Sequence, residues 1–411
     1  MPTGWSQTSI GDVALLLRNG LFASRPVDRP PGTRILRISA VRGGGVDLED
    51  AKYVRDLPPD QAERYQVREG DLLFTRYNGS RRLVGICGRV GPHEVATIHP
   101  DKLIRVVVDP AVADGRFVAL QMAAPATRRF LGPRIRTTAG QSGISGKDLR
   151  AIPVFLPTLE EQRRIVGILE EHLSRLGAAQ AGIASAERRL TALHKSMLLS
   201  LIPDVADYPA DWKASIIGKA GKVDLGRQRH PDWHTGPSMR PYLRVANVFE
   251  ARIDTRSLYE MHWPGDTFDR FRLLPGDVLL NEGQTPELLG RSALYQGDPA
   301  EVAFTNSLLR FRASDDVLPE FALLVFRRHM HAGRFTTESR ITTNIAHLSA
   351  ARLKRIEFPI PPLPVQEELV TRAEEQLSAL TRVGADTAVA RSRSAGLRRA
   401  LLAAAFSGRL T

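Results

Sequence analysis

One stretch occurs twice in this chain and fixes most of what the chain can fold into. Residues 157–176 read PTLEEQRRIVGILEEHLSRL, and residues 361–380 read PPLPVQEELVTRAEEQLSAL. A shift of 204 positions lays Pro157 on Pro361, Leu159 on Leu363, Gln162 on Gln366, Glu170-Glu171 on Glu374-Glu375 and Leu173/Leu176 on Leu377/Leu380. Proline suits the first turn of a helix, where its missing N–H costs nothing. Each copy therefore reads as a proline-terminated strand running into a long helix. Beyond the first cap, Leu169, Leu176, Ile183, Leu190 and Met197 recur every seventh residue, the seam of a coiled coil. That helix is predicted over about 160–201, roughly 60 Å at 1.5 Å per residue. Its partner is the second copy, over about 365–409, whose seam takes Leu380, Leu397 and Leu401 and is poorer, with Thr387 and Ser394 where the first copy has Ile183 and Leu190. The alternative is two separate amphipathic helices, each lying on its own domain.

The globular parts repeat as well. Pro2, Trp5, Ile10 and Gly11 match Pro209, Trp212, Ile217 and Gly218 at a shift of 207, and residues 36–41 match 243–248 at the same shift. Gly70-Asp71-Leu72-Leu73 matches Gly276-Asp277-Val278-Leu279 at 206, and Ile144, Leu149 and Ile152 match Leu348, Leu353 and Ile356 at 204. So small a drift means one module of about 205 residues, duplicated; a solenoid would repeat every 20–50 residues. Strands are expected at 103–108 and 308–311, and short helices at 117–122 and 319–330.

These readings give an α+β chain. Two mixed α/β domains, 1–157 and 206–362, alternate with a central helix, 158–205, and a C-terminal helix, 363–411. If the termini of 206–362 lie close together, the second helix runs back along the first. The expectation is an antiparallel two-helix coiled coil separating the two domains, related by a pseudo-two-fold axis.

Net charge is +12, and residues 1–157 hold 23 Lys and Arg against 15 Asp and Glu. A basic excess in a non-helical part, with no basic amphipathic helix, favours a polyanionic partner, nucleic acid ahead of a membrane. The single cysteine, Cys87, excludes an internal disulfide and fits a reducing cytoplasm. The opening residues lack a signal pattern, and no apolar run approaches 18 residues. The expected location is cytoplasmic.

Chemistry-bearing motifs are missing. No Asn-Pro-Pro-Tyr or Asp-Pro-Pro-Tyr is present to hold a base amino group, and no G-x-G-x-x-G follows a strand. Around Lys147, Gln141 stands where a phosphate loop needs its first glycine and Asp148 where Ser or Thr must bind magnesium. His230 and His234 have helical metal spacing, but Pro231 between them points to a loop pair. No catalytic residue, metal site or cofactor site is expected.

Sequence readout needs forked donors for guanine, amides for adenine and ligands for phosphate. The loop 75–82 offers Arg76, Tyr77, Asn78, Arg81 and Arg82; its counterpart 281–291 offers Asn281, Gln284 and Arg291. For each loop the plainer reading is a solvated surface.

Residues 139–162, from Ala139-Gly-Gln-Ser-Gly-Ile-Ser-Gly-Lys to Gln162, resemble the junction between recognition domain and conserved helix in the DNA specificity subunits of type I restriction–modification systems. Residues 397–410, Leu397-Arg-Arg-Ala-Leu to Leu410, resemble that family's C-terminal signature. The likeness covers both modules; Pro364-Val365 stands in place of the usual acidic pair, and Asn344-Ile-Ala-His in place of Gly-Gln-Ser-Gly. It implies a non-catalytic subunit that serves phage defence and DNA methylation. Each domain would read half of a split, asymmetric target in double-stranded DNA, and the helices would dock two methyltransferase subunits and restriction (motor-nuclease) subunits. S-adenosylmethionine, ATP and magnesium would belong to those partners. The segments before the two junctions, with Arg134, Arg136, Thr138 and Gln141 in one and Arg340, Thr342, Thr343 and Asn344 in the other, are similar to family segments near the DNA. The rival readings are an autonomous sequence-specific or architectural DNA-binding protein and, against the missing motifs, a fused methyltransferase.

Overall fold

The computed structural model describes residues 4–138, 140–342 and 345–409, with backbone alone at 340–342. The chain forms two compact units, Met1–Ile183 with Val389–Thr411, and Ala184–Ala388. Their boundaries cut through both long helices, so each unit contains one end of each.

The first unit runs through β1 (Ser6–Ser9), β2 (Ala14–Asn19), β3 (Leu72–Thr75), β4 (Tyr77–Asn78), β5 (Leu103–Val108), α1 (Gly115–Met122), β6 (Arg136–Thr138), β7 (Gln141–Gly143) and β8 (Pro153–Leu156) into α2, Leu159–Leu201. β5 pairs antiparallel with β2 on one side and β3 on the other, and β3 passes the ladder on to Cys87–Arg89. Leu72, Leu73 and Phe74 are all buried, because this sheet is covered on both faces and its strand reads as a continuous apolar run rather than an alternating one. Asp114 caps α1, its carboxylate accepting from the N–H groups of Arg116 and Phe117, which have no partner inside the helix. Cys87 is buried among these apolar groups, and that burial pushes its thiol far above the usual range.

The second unit repeats this plan with β9 (Lys213–Ile216), β10 (Gly221–Leu225), β11 (Val278–Asn281), β12 (Gly283–Gln284), β13 (Leu308–Ala313), α3 (Pro319–His331), β14 (Arg340–Thr342), β15 (Ile345–His347), β16 (Glu357–Ile360) and then α4, Leu363–Ala405. β13 again lies between β10 and β11. In both units the first strand pairs antiparallel with the strand that feeds the long helix, Ser6 opposite Leu156 and Lys213 opposite Ile360.

The repeated glutamine has a structural reason. Gln162 is buried at the start of α2; its Oε1 accepts from Asp114 N–H at 2.9 Å and its Nε2 donates to Pro157 O at 3.0 Å. Gln366 does the same at the start of α4, accepting from Leu318 N–H at 2.8 Å and donating to Pro361 O at 2.8 Å and Asp316 O at 2.9 Å. One side chain thus ties the long helix to the N-terminus of the short one and to the strand before it. Apolar groups of comparable size would leave those buried backbone groups unpaired.

Each long helix has 43 residues, about 64 Å at 1.5 Å per residue. In the first unit Ile165, Val166 and Leu169 of α2 share a core with Leu402 and Ala405 of α4. In the second, Met197, Leu198 and Leu201 share one with Ala373, Leu377 and Leu380. The start of one helix meets the end of the other in both places, so the pair is antiparallel. Along α2, Leu169 and Met197 are buried, and Leu176, Ile183 and Leu190 are half-buried. α4 departs from the predicted seam: Leu397 is 59% exposed and is not an interface residue. The seven-residue repeat from Leu380 still points inward at Ser394, which is buried, and at Leu401, which is half-buried beside the buried Leu402; Leu397, three residues past Ser394, lies off that repeat.

Candidate nucleic-acid interface

Two segments that are far apart in sequence meet in a small sheet. In the first unit β4, from the loop after β3, pairs with β7, and β7 pairs with β6, all antiparallel. The register sets Tyr77 opposite Gly143, Asn78 opposite Ser142, and Arg136 opposite Gly143 across the other edge. The loop 75–82 and the segment 134–141 thereby form one surface. In the second unit β12, β15 and β14 make the same three-stranded sheet, with Gly283 and Arg340 both opposite His347.

The side chains of the first sheet fall into two groups. Arg81, Arg82, Arg134, Arg136, Thr138 and Gln141 are exposed. Arg81 donates to Gly132 O at 2.8 Å, and Arg134 lies 3.7 Å over the Phe130 ring while donating to Phe130 O at 2.7 Å. Arg76, Tyr77 and Asn78 are half-buried; Arg76 stacks 4.7 Å from the centre of the Tyr77 ring, its Nε has no hydrogen-bond partner, and Asn78 Oδ1 accepts from Ser80 N–H at 2.9 Å. The positive field is felt by Asp148. Burial works against its charge, but the Ser145 hydroxyl and N–H, helped by Arg136 and Arg134, hold its carboxyl below the usual range. Ser145 and Asp148 cap a short helix, Gly146–Arg150, reciprocally, so the Lys147 segment is a helix start.

In the second unit Gln284 and Arg291 are half-buried, and Arg291 stacks 4.8 Å over Phe249. Asn281 is a correction. It is 0% exposed, the last residue of a strand buried throughout, and its Nδ2 reaches Val248 O at 3.5 Å, so it cannot meet a duplex. Arg340 and Thr342 lie on β14; Thr343 and Asn344 fall outside the described residues.

Reading single loops missed a residue pair that a comparison of the modules exposes. An added Cβ on Gly143 would come 2.3 Å from the Tyr77 ring. The equivalents, at shifts of 204 and 206, are His347 and Gly283, and here a Cβ on the glycine would come 3.0 Å from the His347 ring. Each sheet sets one ring over one glycine, with the strands exchanged. His347 Nδ1 also lies 3.2 Å from Glu282 Oε2.

Among the described residues one group has the composition of a metal site, His194, Glu250 and His331. The guanidinium of Arg327 already sits in it, 3.0 Å from Glu250 Oε1 and 2.9 Å from His194 Nε2, so a fixed cation meets the carboxylate charge. His230 and His234 flank a short turn, with His230 Nδ1 3.1 Å from Asp232 Oδ2. No helix among the described residues is long and apolar enough to cross a membrane.

No family model matches the chain. Over 200 residues it is 35% identical to the type I restriction enzyme EcoKI specificity subunit of Escherichia coli strain K12, covering 48% of this chain and 42% of that protein. Over 217 residues it is 25% identical to the type I restriction enzyme StySPI specificity subunit of Salmonella potsdam, covering 51% and 45%. The chain spans about half the length of the curated relatives it matches. A chain from a structure of complex assembly and conformational transition in the type I R-M system shares its fold, with a TM-score of 0.75 at 19% identity over 100% of this chain and 99% of that one.

Proposed function

For a chain whose curated relatives are type I restriction enzyme specificity subunits and whose fold is that of a type I R-M chain, we propose the role of non-catalytic DNA-recognition subunit in such a complex. Each recognition domain, 1–157 and 206–362, reads one half of a bipartite, asymmetric target. The helices set the spacer and dock two methyltransferase subunits, with restriction subunits joining that core. S-adenosylmethionine, ATP and magnesium enter with those partners, in the cytoplasm.

The observation that carries this reading is the duplicated small sheet, built in each unit from the same two segments. In the first it gathers Arg81, Arg82, Arg136 and Gln141 on an exposed surface, the donor types that read guanine and adenine edges and bind phosphate. Docking of two equal partners is supported by Leu193 and Leu397. They are 54% and 59% exposed at positions equivalent under the 204-residue shift, which offers one apolar contact twice.

The test is methylation by the chain assembled with its methyltransferase subunits. Arg136→Ala and Arg81→Ala should each weaken it, and a base-reading arginine should relax one position of one half-site by about 1–3 kcal/mol. Tight, specific binding by the isolated chain would favour an autonomous DNA-binding protein instead, and unchanged methylation patterns in both variants would remove the small sheet from the interface.

A further inference from the structure

The second unit gathers three ionisable side chains on one carboxylate oxygen. Glu250 Oε1 is met by Arg327 Nε at 3.0 Å, His331 Nε2 at 3.0 Å and His194 Nε2 at 3.1 Å. They come from three places: His194 from the end of α2, Glu250 from the turn between Val248–Phe249 and Arg252–Ile253, and Arg327 and His331 from α3. Burial would raise the Glu250 carboxyl, but the two histidine contacts and the Arg327 charge hold it far below its usual range.

The duplication sets this cluster beside a simpler contact in the first unit. Under the repeat His194 corresponds to Arg398, and Glu250 to Gly43. In the first unit Arg398 Nη2 lies 3.4 Å from Gly43 O, so the same point on the helix reaches the same turn of the domain through one long hydrogen bond. There α1 stops at Met122, after 8 residues, and under the 204-residue shift Arg327 and His331 correspond to the uncharged Ala123 and Thr127; α3 has 13. Beside the cluster a cavity of about 930 Å³ separates domain from helix, lined by Glu250, Leu323, Arg327, Val370, Leu377 and Thr381. Leu323, Val370 and Leu377 on its walls are only partly buried against the apolar core, and the ion cluster stands at its rim.

We propose that Glu250 is a positioning residue: through His194, Arg327 and His331 it latches the second recognition domain to its helix segment and sets the tilt at which that domain meets its half-site. The proposal rests on the recognition role argued above. Without the carboxylate, the buried Arg327 faces two imidazoles across the mouth of a cavity, and this edge of the domain loses its charged contact with the helix, leaving the apolar core around Leu198, Leu201 and Ala373 to set the tilt.

The test uses the full chain assembled with its methyltransferase subunits, on DNA carrying varied half-sites. Glu250→Gln should lower discrimination at the second domain's half-site by about tenfold and leave the first half-site unchanged, with the charge-preserving Glu250→Asp recovering most of the loss. His331→Gln removes one donor but keeps the Glu250–Arg327 pair, so it carries the same test with a smaller effect should Glu250→Gln fail to fold. Equal discrimination at both half-sites, or equal losses at both, in a folded variant would overturn the latch. Amide exchange needs no DNA: residues 248–253 should exchange faster in Glu250→Gln, and unchanged exchange would sink the latch whatever the chain reads. Faster exchange in a chain on which no methylation depends would fault the recognition role and leave the latch standing.

Discussion

In the first unit Asp71 holds Arg105 at 2.6 Å, with both side chains buried and, among the described residues, no other acid in an ion pair with the arginine. The second unit places Asp277 and Arg310 at the same register positions, yet Asp277 turns to Arg312 at 2.7 Å and keeps Arg310 only at 4.0 Å, while Arg310 takes Asp224 at 2.7 Å. Residue 224 is an acid where the first unit has Arg18, opposite the buried arginine in each sheet. One unit therefore relies on an isolated buried pair and the other on a network of four. The same contrast holds at the helix contact, one backbone hydrogen bond against a four-membered cluster. Duplication has kept the backbone devices, the glutamine tie and the small sheet, while the charged contacts have been rebuilt in the second unit with more partners than in the first.

The contrast predicts unequal fragility. Asp71→Ala leaves Arg105 charged, buried and alone, and should destabilise the first unit by about 3–5 kcal/mol. Asp277→Ala leaves Arg310 bonded to Asp224 and to Arg272 O at 2.9 Å, and Arg312 partly in solvent, so the second unit should lose about 1–2 kcal/mol. Urea unfolding followed by amide exchange in each unit measures both. Equal losses would show that the network confers no tolerance.

Acid should strike both units by the same mechanism at unrelated positions. His99 in the first and His329 in the second are held down to about 4 by burial, against an ordinary value of 6.5. The folded state refuses a proton that the unfolded chain accepts, so stability is complete above about pH 6.5 and falls until about pH 4. At that limit the loss is about 3 kcal/mol for each histidine. His99→Gln should flatten the decline between pH 6.5 and 4.5 in the first unit only, and His329→Gln in the second only. A decline unchanged by either substitution would assign it to carboxylates.

How much of this was legible in the sequence depended on periodicity. The duplication, the helices and the strands at 103–108 and 308–311 rest on repeats and apolar runs, and they lie where the residues point. The small sheets were not legible as sheets, since strands of two or three residues carry no period and their pairing joins segments tens of residues apart. Asn281 looked like a loop amide because burial of the last position of a strand leaves no mark on composition. Leu397 was misplaced because an apolar side chain three residues past Ser394 has the spacing of a seam position, and composition alone does not show that it faces out. Gln162 and Gln366 stood out as a repeated position, but only the pairing of Asp114 and Leu318 N–H groups explains them.

The smallest effect tests the contrast most closely. Tyr77 lies over Gly143 in the first small sheet and His347 over Gly283 in the second, so the ring has changed strands and the glycine has changed with it. Gly143→Ala would bring a methyl group to 2.3 Å from the Tyr77 ring, and the ring or the strand must move, at about 1–3 kcal/mol. Gly283→Ala meets the His347 ring at 3.0 Å, which a tilt of the imidazole relieves, so the cost should stay below about 1 kcal/mol. The double substitution Tyr77→Gly with Gly143→His transplants the second unit's arrangement into the first. If ring and glycine act as a pair, its cost should be well under the sum of the single changes, a coupling of about 1 kcal/mol or more in a double-mutant cycle read by amide exchange over 136–143. Additive costs would mean that each position answers to its own strand, and that the exchange between the two sheets is coincidence.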